Sequence, residues 1–101
     1  MDRKQVSAVV EALDRANVRY VYNSEPMFQW ILMFEGRGRI VARGMDPEDR
    51  VSSYAAQVDS ARLAGAPVAL VARTGPRAYE VLLRPDPKVI EANFPLAPRR
   101  I

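Results

Sequence analysis

The side chains that most often make and break bonds are missing. The chain has no histidine and no cysteine, which removes the usual general base, the strongest nucleophile and the two commonest transition-metal ligands. Ser52, Ser53 and Lys4 are the nucleophiles left to nominate, and none has an evident base beside it. Asp46, Glu48 and Asp49 have the composition of a Mg²⁺ cluster. With Pro47 among them they read instead as a helix start, a capping carboxylate followed by proline at the first helical position. No phosphate loop, dinucleotide fingerprint, EF-hand loop or zinc spacing occurs. The expectation is a non-enzymatic protein with no catalytic residue, no metal and no cofactor.

What the chain does offer is guanidinium. All of its 15 basic residues except Lys4 and Lys88 are arginine, at a net charge of +3, and arginine presents a flat, forked donor suited to phosphate, carboxylate and aromatic faces. Abundant Ala, Arg, Val and Pro also suit a GC-rich bacterial or phage genome. Two surfaces follow. Val21, Ile31, Met33 and Val41 would form an apolar sheet face ringed by Arg19, Gln29, Arg39 and Arg43, the anatomy of a protein interface. The first reading is therefore an interaction module, an adaptor or inhibitor that binds a protein partner or pairs with itself as a homodimer. The alternative is nucleic-acid binding through Arg37, Arg39 and Arg43, helped by Arg73, Arg77 and Arg84, with an affinity that falls steeply with salt.

These surfaces depend on the elements that carry them. Val6, Val9, Val10 and Leu13 recur at helical spacing, so the spacing predicts a helix over 3–16, capped by Asp2 and ended by a left-handed Asn17. Period-two alternation then predicts strands over 18–23, 28–35 and 39–45, the last two joined by a tight turn at Gly36-Arg37-Gly38. On this reading Tyr20, Tyr22, Phe28, Trp30 and Phe34 form the core face rather than a base-stacking platform. A second helix starts at Asp46-Pro47 and stops at Gly65, with Val51, Tyr54, Ala55, Val58 and Ala61 as its inward stripe. Val68–Arg73 and Tyr79–Arg84 read as a second hairpin, and Asp86-Pro87 as the start of a short helix to Asn93.

The fold class expected is α+β, an antiparallel sheet in the order α-β-β-β-α-β-β-(short α) with helices packed on it. At 101 residues and 49% hydrophobic, residues 1–94 match a single domain, with 95–101 a loosely held tail. No apolar run reaches the ~20 residues of a membrane span, and Met1-Asp2-Arg3-Lys4-Gln5 leads into an amphipathic helix rather than a signal sequence. A cytoplasmic protein is expected, without membrane contact.

From Val18 to Leu63 the pattern resembles the small YegP-like repeat proteins of unknown function. Tyr22, a Trp-x-Leu strand at Trp30 and Leu32, a glycine turn at Gly36, an Ile-x-Ala strand at Ile40 and Ala42, and an alanine-rich helix through Ala55 and Ala56 carry the likeness. Glu35-Gly36-Arg37-Gly38 replaces that family's Asn-Gly turn, and Asp46-Pro47-Glu48-Asp49 its Tyr-Ser-x-Lys helix entry. The resemblance implies a β-β-β-α unit and transfers no catalytic residue. The first 65 residues also share the α-β-β-β-α order of double-stranded-RNA-binding domains, but the acids at 46, 48 and 49 would repel phosphate where those domains are basic.

Overall fold

The computed structural model describes residues 3–25, 28–45, 52–75 and 78–96. Helix α1 spans Arg3–Arg15, strand β1 Tyr20–Asn23, helix α2 Phe28–Glu35, strand β2 Val41–Arg43, helix α3 Ser52–Leu63, strand β3 Val68–Gly75, strand β4 Ala78–Leu82 and helix α4 Pro87–Asn93. The α+β content is as expected, with four helices and a four-stranded sheet. The antiparallel sheet is not. The strand order is β2-β1-β3-β4, with β2, β1 and β3 mutually parallel and only β4 antiparallel, against β3.

The correction turns on residues 28–35. They form α2, not a strand, so neither the three-stranded meander nor the β-β-β-α unit is formed. In an extended segment Phe28, Leu32 and Phe34 would share a face. Instead Phe28 and Leu32, one helical turn apart, are fully buried, while Phe34 is 79% exposed. Two adjacent parallel strands cannot be joined by a tight turn, because the chain must travel back along the sheet before re-entering it. Helix α2 makes that return between β1 and β2. In the expected glycine turn the left-handed residues are Arg37 (φ 50°) and Gly38 (φ 80°), not Gly36, and they form the exit from a helix, where the Gly36 N–H still donates to the Leu32 carbonyl at 2.9 Å.

Both sheet faces are covered. Val21, Ala42, Ala69 and Val71 pack beneath Val6, Val9, Val10 and Leu13 of α1 and Phe28 and Leu32 of α2. On the other face Tyr22 and Leu70 pack with Val58 of α3 and Ile90 and Phe94 from the α4 region. The connection through α2 moves outward to the edge strand on one face, and that through α3 moves back across β1 on the other. Reversing both direction and face keeps the two crossovers of one hand, as the strong handedness preference of parallel connections requires.

Local signals place the element ends. After α1 the Val18 N–H reaches the Leu13 carbonyl (3.0 Å) and the Asn17 N–H the Asp14 carbonyl (3.1 Å), with Asn17 at φ 56°. After α3 the Ala66 and Gly65 N–H groups repeat the pattern on Ala61 and Arg62, with Gly65 at φ 90°. Both are Schellman endings, in which a left-handed residue lets the chain satisfy the last helical carbonyls and turn into a strand. Asp86 caps α4, accepting from the Lys88 N–H at 2.9 Å, with Pro87 at the first position. The expected helix start at 46–49 and residues 97–101 of the expected tail lie outside the described residues. Among the described residues no helix is long and apolar enough to cross a membrane.

Candidate functional site

Register brings Tyr22 of β1 beside Arg43 of β2, and strand alternation aims both at α3, where Asp59 and Arg62 stand one turn apart. The Arg43 Nη1 donates to both Asp59 oxygens, at 2.8 and 2.7 Å, and its Nε to the Gly44 carbonyl at 3.0 Å. The Tyr22 hydroxyl donates to Asp59 Oδ1 at 2.7 Å and accepts from Arg62 Nε at 2.8 Å. The guanidinium carbon of Arg43 lies 5.6 Å from the Tyr22 ring centre and 5.7 Å from that of Phe94, within cation–π reach of both. The two rings meet edge to face at 5.0 Å.

The hydrogen-bonding groups of this cluster are largely occupied with one another. Burial, then the hydrogen bond to Asp59, pushes the Tyr22 phenol up to about 12 against the opposing pull of Arg62, so it stays protonated at neutral pH. Both Asp59 oxygens are engaged, and Arg43 is fully buried with its Nη2 left without a hydrogen-bond partner. A buried guanidinium held by a carboxylate on the opposing helix works as a clamp between α3 and the sheet.

The same geometry separates the residues expected to share one apolar sheet face. Val21 is fully buried under α1 and α2, and Val41 packs half-buried towards α3. Ile31 and Met33 belong to α2 and pack partly against the core. Arg43, expected at the rim and among the nucleic-acid contacts, is fully buried. Of the other arginines proposed for nucleic acid, Arg73 stands at the far end of the sheet, 3.5 Å from Glu25. Arg77 lies outside the described residues, and Arg84 follows β4, three strands from β2. Among the described residues of that set, Arg37 and Arg39 come together, joined by the expected rim residue Arg19, at the end of the sheet where β1 and β2 begin.

Sequence reasoning missed Asp59 and Arg62 altogether. They follow Ala55 at i+4 and i+7, on the buried side of α3, so charge on an apolar stripe was the available signal. Among the described residues no group of three or more metal-ligating side chains occurs, and the acids at 46, 48 and 49 lie outside them.

The outer side of α2 is the other exposed feature. Trp30 and Phe34 are one turn apart. Trp30 meets Tyr54 of α3 edge to face, with centroids 6.0 Å apart, while Gln29 donates to the Ala42 carbonyl of the outer strand β2 at 3.0 Å. Phe34 continues this aromatic row into solvent. The chain matches no known protein family, no curated protein and no solved structure, so a functional reading rests on this geometry.

Proposed function

We propose that the protein is a non-catalytic interaction module whose contact surface is the outer side of α2, anchored by Phe34 and extended by Trp30 and Tyr54. The observation that carries this reading is the 79% exposure of Phe34 on a helix whose opposite side is fully buried. An exposed aromatic beside a half-buried aromatic pair is the composition of an interface hot spot, where aromatic anchors supply most of the affinity. Its occupant is a protein surface with an apolar pocket that receives the Phe34 ring, as grooves receive anchor residues spaced one turn apart. The apolar centre thus moves from a sheet face to a helix face.

A photo-crosslinking amino acid at position 34, expressed in the native host, tests this. The expected result is one discrete adduct, dimeric or heteromeric, that is absent when the probe replaces the exposed Glu91 and is lost on adding Trp30→Ala. An indistinguishable pattern from positions 34 and 91 would overturn the proposal.

A further inference from the structure

The C-terminal ends of α1 and α2 meet at one end of the sheet and leave between them a depression of about 440 Å³, walled by Leu13, Asn17 and Val18 and by Arg19, Arg37 and Arg39. We infer that this depression binds a small phosphorylated ligand through the three arginines. Phe34 does not line it, so the inference stands apart from the interface reading.

The arginines are organised, not scattered. Arg39 is fixed by its Nε on the Gly36 carbonyl (3.1 Å) and its Nη2 near Asp14 (3.2 Å). The Arg39 carbonyl accepts from Arg19 Nε at 3.2 Å, which leaves both Nη groups of Arg19 uncommitted among the described residues. The Arg37 guanidinium is also uncommitted there. Three guanidinium groups face a single carboxylate, Asp14. The two helix ends add about half a negative charge each, and the balance stays positive. Forked donors converging from different chain segments match a tetrahedral oxyanion, which accepts paired hydrogen bonds from several directions.

Arg37 adds a second observation. Its φ of 50° lies in the left-handed region, where a β-carbon is disfavoured and glycine is the expected occupant. A long charged side chain is held there against the local preference, at the lip of the depression.

Size and distribution select a small ligand over a polymer. The volume falls in the range of small-molecule sites, roughly 300–1,000 Å³. A nucleic-acid track needs a row of cations along the surface, whereas Arg73 sits at the opposite end of the sheet beside Glu25.

Amide and arginine Nε–H NMR signals should be followed during titration with inorganic phosphate, adenosine monophosphate, acetate and a single-stranded DNA 12-mer at matched ionic strength. The expected result is saturable movement of the Arg19, Arg37 and Gly38 signals with phosphate and with the nucleotide, and none with acetate. Arg37→Gly relieves the left-handed strain, so it should fold at least as well as the parent and lose affinity at least tenfold. Arg19→Gln, an exposed change, should weaken binding similarly and decides the matter if Arg37→Gly melts early. Equal movement with acetate, or unchanged phosphate binding by both variants, would overturn the site. Saturation by DNA alone would overturn it in favour of a polymer contact.

Discussion

Removing the Asp59 carboxylate should unfasten α3 from the sheet. In Asp59→Ala the fully buried Arg43 loses the acceptor of both short Nη1 bonds, its Nη2 is already without a partner, and no solvent reaches the side chain. Breaking one side of a buried ion pair costs about 3–5 kcal/mol, because an uncompensated charge stays in a low-dielectric interior. The Tyr22 hydroxyl loses its acceptor as well. Against a total stability of roughly 5–15 kcal/mol this is a large fraction, and at ~4–8 °C per kcal/mol for a domain of this size the melting midpoint should fall by at least ~12 °C. Urea unfolding followed by circular dichroism measures the loss, with the slope of the transition checked for constancy. The double variant Arg43→Met/Asp59→Leu replaces the pair with apolar volume and should recover most of it, to within ~1 kcal/mol of the parent. If Asp59→Ala costs less than ~1 kcal/mol, or the double variant is no better than the single, the clamp argument fails.

Further outcomes follow from the same geometry. The folded-state pKa of Tyr22, about 12, lies above its ordinary value of 10.0, so the unfolded chain gives up this proton first. The resulting stability is fully present below pH 10 and is lost as the pH rises through 12, by about 2–3 kcal/mol in all. Alkaline unfolding curves should show this decline, and Tyr22→Phe should remove it together with one phenolate absorbance step near pH 12. Arg37→Gly should stabilise the protein by up to ~1 kcal/mol in urea melts, because the left-handed backbone no longer carries a β-carbon. Gly65→Ala, at φ 90° with open space around the added carbon, should cost about 1 kcal/mol through backbone strain alone. Phe34→Ser should leave the melting temperature within ~3 °C of the parent, since the ring is mostly in solvent; a larger drop would mean that the ring belongs to the core.

Element ends were legible because a few neighbouring residues decide them. Asn17 and Gly65 turn left-handed and Asp86-Pro87 starts a helix for steric and hydrogen-bonding reasons contained within one turn of chain. The hairpin of β3 and β4 was legible too. Residues 28–35 were not, since in a nearly continuous apolar run the alternation that suggested a strand is also met by a helix, and extended and helical readings both bury part of it. A different clue was present in Val68-Ala69-Leu70-Val71, four apolar residues in succession, which marks a strand covered on both faces, as parallel strands usually are.

Composition alone settled the absence of imidazole and thiol, and short-range spacing settled the first helix, the second hairpin, the left-handed endings at Asn17 and Gly65 and the Asp86 cap. The direction of β2, the burial of Arg43 and the exposure of Phe34 were settled elsewhere. Arg43 meets a carboxylate 16 residues away, and Tyr22 meets partners 37 and 40 residues away. The free energy of such contacts exists only once the sheet is assembled, so no local pattern of residues encodes which arginine is a clamp and which faces solvent.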